Sequence, residues 1–432
     1  MIKTIRIRNL FRRFDYSIDT MPNGITIITG PNGFGKSTIL KIINALSCSD
    51  LLYFLQLEFK QINVVFDNGL TTTIEKTTKG IKIDDIVFEI TQEIATALQR
   101  IKRKSWIVQT SDGYIDRRMD ERITEEELLS RYIFHTDDWM YDDPKNAKVI
   151  RANLKKIYNR LEWIKKHCGE VGVISDQRLI KQRRTRGEDP QIIDVIKELP
   201  QKLQAQISLV YNKYSDIATS LDSSYPNRLF STKDGIKNQE EYERYLNEVN
   251  EKFNKLRQYQ LVDMNIIDQQ EYNSNYSTAL KIYFDDFASK FTVFEDLITK
   301  LDLFTQIINS RLMFKQIAIS REKGFYIVDS DNPRRELNLS QLSSGEKQEI
   351  VLFYDLIFES KENLLLLIDE PEISLHIAWQ KRFLDDLLQV SKHANIQAIV
   401  ATHSPQIVSN HWDIQIDLGE LYAKQLNQSQ SM

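Results

Sequence analysis

Cysteine is nearly missing from this chain of 432 residues: only Cys48 and Cys168 are present, far apart. Two isolated thiols exclude a disulfide framework, suit a reducing compartment and offer no metal-ligand spacing. Nowhere do about 18 apolar residues run together, so no membrane span is expected. The first residues likewise lack a charged-then-apolar leader, and a cytoplasmic location is the expectation. Charge of one sign is lacking too: 57 Lys and Arg face 61 Asp and Glu, a net charge of −4. That slightly acidic balance gives no general attraction to nucleic acid. Internal repeats are absent. The length holds one large core with an inserted module.

Four short segments, scattered over nearly the whole chain, carry the chemistry. The first is Gly30-Pro31-Asn32-Gly33-Phe34-Gly35-Lys36-Ser37-Thr38. Before it, Ile25-Thr26-Ile27-Ile28-Thr29 is a β-branched run that predicts a buried strand; after it, Thr38 to Leu46 predicts a helix. A strand, the pattern G-x-x-x-x-G-K-S and a helix form the arrangement that cradles phosphate. Glycines let successive N–H groups converge on phosphate oxygens, and the helix N-terminus adds partial positive charge. The candidate nucleotide-binding residues are therefore Asn32, Gly33, Phe34, Gly35, Lys36, Ser37 and Thr38. Lys36 is expected to neutralise the β- and γ-phosphates, and the Ser37 hydroxyl to ligate Mg²⁺.

The apolar run Leu364 to Ile368 ends in Asp369-Glu370, as a buried parallel strand delivers acids at its C-terminal edge. Asp369 is expected to hold Mg²⁺ through its water shell, and Glu370 to orient and deprotonate the attacking water. Ile396 to Ala401 is a second apolar run, broken only by Gln397, with His403 just beyond it. A histidine there suits a γ-phosphate sensor, the bland alternative being a structural one. The fourth segment, Leu342-Ser343-Ser344-Gly345-Glu346-Lys347-Gln348, precedes the apolar helical stretch Ile350 to Tyr354. By itself S-S-G-E is an ordinary helix cap. Its place roughly 20 residues before the acidic strand gives it weight.

Together the four segments resemble an ABC-type ATPase of the SMC/RecF/OLD-like branch, with its Walker A, signature, Walker B with catalytic glutamate, and switch histidine. The resemblance covers roughly residues 1–90 and 310–420. It implies an α/β fold: an ABC ATPase head with a mixed sheet, a P-loop and an antiparallel β-layer. It also implies ATP and Mg²⁺ as cofactors and Lys36, Glu370 and His403 as catalytic residues. Ser343 and Gly345, with Glu346 beside them, match the signature that binds ATP held by the opposite subunit, so a homodimer or higher homo-oligomer is implied. The metal set would be Ser37, Asp369 and Gln177, the last being the candidate for the family's Mg²⁺-linked glutamine. Arg12 and Arg13, in Ile7 to Phe14, resemble the family's N-terminal segment near the adenine; a surface loop explains them equally. After Glu370 the chain reads Glu372-Ile373-Ser374-Leu375-His376 instead of the transporter loop with its aspartate. That form resembles OLD-like ATPases and leaves roles across a dimer open.

Between the motifs, Gln61–Phe66, Thr71–Glu75 and Ile81–Ile83 predict three strands, with hairpin turns at Asp67-Asn68-Gly69 and Thr78-Lys79-Gly80. Residues 122–168 read as helical from an acidic start at Thr124-Glu125-Glu126-Glu127. Three apolar sets alternate steps of four and three: Leu203 to Leu221, Tyr242 to Leu256 and Leu280 to Leu301. Helices packed along a seam follow, with loops at Ser223–Asn227 and Glu271–Asn275. The expected organisation is a first half-head over 1–175, and a helical bundle or short helical hairpin over 176–313. A second half-head spans 314–420, opening with strands Phe314–Ile319 and Gly324–Val328, and 421–432 is a flexible tail. The insertion is far too short for an SMC arm and lacks the C-x-x-C of a zinc hook. Two basic clusters, Arg178 to Arg186 and Lys102-Arg103-Lys104, could grip nucleic-acid phosphates, but a solvated face or an acidic partner is the simpler reading, since the whole chain is slightly acidic and no stacking aromatic array accompanies them.

The sequence stops at Met432, soon after His403, where OLD-family nucleases carry a nuclease domain. An effector is therefore expected in trans. Standalone ATPases of this build resemble those of bacterial anti-phage systems of the PARIS or Septu type, which act with a separate nuclease or toxin. The implied function is a dimerising nucleotide switch, the sensor or scaffold of such a system. The alternative is a RecF-like repair or replication ATPase that binds DNA directly. A transporter ATPase is disfavoured by the helical insertion and the S-S-G-E-K signature.

Overall fold

Five parallel strands stand side by side in the order Val171–Ile174, Leu365–Asp369, Gln397–Ala401, Ile25–Thr29 and Gln415–Asp417. The apolar runs of the three central strands reflect burial on both faces, and every residue of Ile25–Thr29 is buried. The register pairs Asp369 with Ala401 and Ala401 with Ile28, so three strands end level. The phosphate loop, Asp369-Glu370 and Thr402-His403 consequently leave the sheet at one edge, where parallel sheets gather their ligands.

This computed structural model describes residues 1–21, 24–89, 107–110, 113–116, 121–134, 144–174, 180–183, 191–262, 270–360 and 363–430. Two units divide the chain: Met1–Asp176 with Ser360–Met432, and Gln177–Glu359. Residues 314–359, signature included, thus group with the helical segment in the second unit.

In the first unit a six-stranded antiparallel sheet runs Phe14–Asp19, Ile2–Leu10, Gln61–Phe66, Thr71–Lys76, Gly80–Ile83 and Ile86–Glu89. The three strands expected here are present, and the hairpin at Asp67-Asn68-Gly69 closes through Gly69 at φ +79°. Ile2–Leu10 and Phe14–Asp19 are further strands of the sheet, with Ile5, Ile7, Leu10, Phe14, Tyr16 and Ile18 inward. They form one core with the helices Lys36–Cys48 and Pro144–Cys168. Each fully buried aliphatic side chain there contributes about 1.5–3 kcal/mol. Among the described residues of 122–168, Arg122 and Ile123 belong to the strand Glu121–Ile123, contrary to the helical expectation, and the helices are Glu125–Phe134 and Pro144–Cys168. The first opens on a reciprocal cap, Glu127 N–H to Thr124 Oγ1 at 3.1 Å and Thr124 N–H to Glu127 Oε2 at 2.8 Å.

Residues 421–430, expected within a flexible tail, instead continue the helix Leu418–Gln430. Leu418 is fully buried, and the Tyr422 ring meets Phe14 and Phe34 edge-on at 5.0 and 5.8 Å. These apolar anchors outweigh the polar composition of the last residues.

The second unit carries the helices Leu199–Ser231, Gln239–Gln258, Ser277–Thr292 and Glu295–Asn309. Tyr242, Leu246, Val249, Phe253 and Leu256 are all buried, as their spacing requires. The loop expected at Ser223–Asn227 is a correction: the first helix runs straight through it, Pro226 included. Proline there removes an N–H and crowds a carbonyl one turn back. Two residues on, Arg228 donates to Leu221 O at 2.7 Å and pairs with Asp286 on the helix Ser277–Thr292, which ties the segment to its neighbour. The two expected strands are present as Lys315–Ser320 and Gly324–Asp329, and they pair as an antiparallel hairpin extended by Glu336–Leu337. Arg311 and Glu349 pair at 3.2 Å with side chains only 2% and 3% exposed. No helix among the described residues is long and apolar enough to cross a membrane.

Candidate functional site

The loop after Ile25–Thr29 turns through Gly30, Gly33 and Gly35 at φ +138°, +83° and +88°. A side chain at Gly35 would bring its Cβ to 3.1 Å from Leu10 Cδ2 as well as straining the backbone. The helix Lys36–Cys48 begins at once, so its free N–H groups face the loop. Lys36 is buried and uses all three ammonium donors: Gly30 O at 2.8 Å, Pro31 O at 3.2 Å and His403 Nδ1 at 3.1 Å. Burial lowers the pKa of its ammonium, and Glu370, Asp369, Glu372 and Asp417 oppose that.

An ammonium can only donate, so Nδ1 of His403 accepts and a neutral imidazole keeps its proton on Nε2. That nitrogen lies 3.7 Å from Glu370 Oε1. Ser37 Oγ donates to Asp369 Oδ1 at 3.0 Å. Glu370 sits in the left-handed region, φ +46°, where its N–H donates to Ala401 O at 2.9 Å. The kink turns its carboxylate out of the strand line at the sheet edge. So the structure brings Lys36, Ser37, Asp369, Glu370 and His403 together.

The other expected residues have varied settings. Phe34 lies in an aromatic group with Phe14, Tyr16 and Tyr422, and its carbonyl accepts from Tyr16 O–H at 2.8 Å. Asn32 and Gly33 are exposed at the loop tip, and Thr38 is half-buried, its carbonyl taking Tyr53 O–H at 3.4 Å. Arg12 lies in a turn at φ +61° and pairs with Glu58 at 3.2 Å, both side chains largely exposed. The Arg13 carbonyl accepts from Gln425. Gln177, Lys102-Arg103-Lys104, Arg184 and Arg186 lie outside the described residues.

In the second unit Ser343 caps the helix Ser344–Tyr354. Glu346 N–H donates to Ser343 Oγ at 3.2 Å and Ser343 N–H to Glu346 Oε2 at 2.6 Å. Lys315 holds Glu346 at 2.9 Å and Gln341 O at 3.1 Å. Ser343 and Ser344 are exposed, and Gly345 follows in the first turn.

Three residues outside the motif reading complete the first unit's site. Asp417 accepts from Thr29 Oγ1 at 3.2 Å, Gly419 N–H at 2.7 Å and Glu420 N–H at 3.0 Å, tying the helix Leu418–Gln430 to the end of the phosphate-loop strand. The run Asp417-Leu418-Gly419-Glu420 reads as a helix N-cap and could have disclosed this. Glu372, which begins the segment whose role the sequence left open, and Gln380, which carries no local sequence signal, both contact the His403 loop.

Residues 1–408 match the family model described as AAA ATPase domain. The zinc import ATP-binding protein ZnuC of Haemophilus influenzae is 32% identical over 181 residues, 38% of this chain. The chain spans about three fifths, 61%, of that relative's length. Among solved structures, the SMC head domain from Thermotoga maritima is similar with a TM-score of 0.33 and 14% identity, over 94% of this chain and 90% of that one. An SMC head bound to the C-terminal winged-helix domain of ScpA gives 0.35 and 12%, over 95% and 91%.

Proposed function

The chain belongs to the family of AAA ATPase domain proteins, and from that premise we propose that it is a nucleotide switch whose ATP sites are completed between copies. ATP hydrolysis is its reaction. The observation that carries the reading is the meeting of Lys36 with His403 and of Ser37 with Asp369, partners 367 and 332 residues apart in sequence. Lys36 exchanges its loop carbonyls for β- and γ-phosphate oxygens and brings a positive charge to them. A hydroxyl and a carboxylate at 3.0 Å are hard oxygen donors of the kind Mg²⁺ takes beside phosphate and water, so Ser37 and Asp369 fit that ion. Bound there, Mg²⁺ would supply Lewis-acid stabilisation of phosphate charge. Glu370 takes the proton of the attacking water. His403, its proton on Nε2, stabilises the charge that develops on the γ-phosphate.

Completion by a second copy is supported by the helix start with Ser343 and Ser344 exposed and by the resemblance of the four motif segments. At that helix start, free N–H groups favour an anion. The same resemblance supports the assignment to a bacterial anti-phage system in which the switch controls a separate nuclease or toxin. Purified protein with Lys36→Ala tests the site: nucleotide binding followed by a fluorescent ATP analogue is expected to vanish. Retained tight binding refutes it. The defence assignment fails if neither phage challenge nor co-purification yields a phenotype or an effector.

A further inference from the structure

The strand Gln397–Ala401 ends at Thr402, and the two residues that follow are held from outside their own segment. His403 N–H donates to Glu372 Oε1 at 2.7 Å. Ser404 Oγ donates to Gln380 Oε1 at 2.7 Å, while Gln380 Nε2 donates to the carbonyls of Glu372 and Leu375 at 3.3 and 3.2 Å. A hydrogen-bonded ring thus joins the His403 loop to the segment just after Glu370. The 3.7 Å separation of His403 Nε2 and Glu370 Oε1 is too long for a direct bond to hold it. The two side chains owe their spacing to the ring.

Within the ring Glu372 has a peculiarity. Its Oε2 is buried and has no hydrogen-bond partner among the described residues. A buried, unpartnered carboxylate oxygen is costly, on the order of 1–3 kcal/mol, so stability alone does not explain an acid here. The charge has two uses in this site. It strengthens the bond to the His403 N–H, since charge-assisted bonds are about twice as strong as neutral ones. It also adds negative potential at Lys36.

We propose that Glu372 is a positioning residue for ATP hydrolysis, its carboxylate fixing the His403 main chain so that the imidazole stays between Lys36 and Glu370. This rests on the roles given above to His403 and Glu370. Glu372 itself touches neither the nucleotide nor the attacking water.

The test compares Glu372→Ala, Glu372→Gln, His403→Ala and the double variant Glu372→Ala/His403→Ala in steady-state ATP hydrolysis, with nucleotide affinity and thermal melting measured alongside. Displacing a catalytic group by about 1 Å can cost about 100-fold, and a kcat loss approaching that is expected for Glu372→Ala with KM and affinity little changed. Glu372→Gln, which keeps an acceptor for the His403 N–H, is expected to recover most of kcat. The double variant is expected to be no slower than His403→Ala, because both changes remove one function. If Glu372→Ala does not fold, Glu372→Leu, which keeps bulk but offers no acceptor, and its double with His403→Ala carry the same cycle. Wild-type kcat in Glu372→Ala, or additive losses in the double variant, overturns the proposal while leaving the His403 role intact. Full activity in His403→Ala instead sinks the underlying reading.

Discussion

Glu370→Gln is the substitution whose outcome depends most closely on the geometry. The amide is nearly isosteric, and the backbone is fixed by other means, the Glu370 N–H on Ala401 O at 2.9 Å and the φ of +46°. Glutamine can therefore occupy the same left-handed position at no added cost in shape. What is lost is basicity. General base catalysis is worth about 100- to 10,000-fold, or about 3–5 kcal/mol of barrier, and kcat is expected to fall by that amount. Nucleotide affinity should hold at neutral pH, because Lys36 and Ser37 are untouched. One secondary effect has a definite sign. Glu370 is the carboxylate that most opposes the downward shift of the Lys36 ammonium, so its loss lowers that pKa further. Affinity for ATP should then begin to weaken at a lower pH in the variant than in wild type. The assay is phosphate release under saturating ATP, with affinity followed across pH. A kcat within about threefold of wild type would refute the general-base assignment.

Two further predictions concern the scaffold. Arg311→Met removes the cation that faces Glu349 inside the second unit, where both side chains are buried. Breaking such a pair from one side costs about 3–5 kcal/mol, to be read from denaturant unfolding; a loss below about 1 kcal/mol contradicts it. Glu125 is buried beside Tyr158 at 2.7 Å and the N–H of Leu52 at 3.0 Å, and burial, with Asp50 adding to it, raises its pKa to about 8. The folded state then holds a proton that the unfolded state releases above 4.5, so this contribution to stability is lost as pH rises from 4.5 through about 8. Glu125→Gln should flatten that part of the melting-temperature profile, and an unchanged pH slope would contradict the assignment.

The parallel sheet was legible because its strands are buried on both faces and read as unbroken apolar runs, Ile25–Thr29 and Leu365–Asp369 above all. The same runs placed Lys36, Asp369, Glu370 and His403 at strand ends, which is most of the site. The strands Ile2–Leu10 and Phe14–Asp19 were hidden in plain alternation, with the turn between them held in left-handed conformations at Asn9, Phe11 and Arg12. Pro226 reads locally as a break, yet the helix Leu199–Ser231 runs through it, and the long-range Arg228–Asp286 pair that ties it to a neighbouring helix leaves no local pattern. Glu372 and Gln380 act through bonds to residues 31 and 24 positions away. Pairings of that kind are set by the fold and leave no local pattern.

The most direct test of the switch is the mass of Glu370→Gln in solution, measured by light scattering with Mg²⁺ and either ATP or ADP. With ATP the account predicts a particle of twice 50.7 kDa or a higher multiple, falling back towards a smaller assembly with ADP. That ATP-dependent growth should disappear when Ser343→Arg blocks the exposed helix start. The same mass with ATP, with ADP and without nucleotide would contradict the claim that ATP closes two copies on one another.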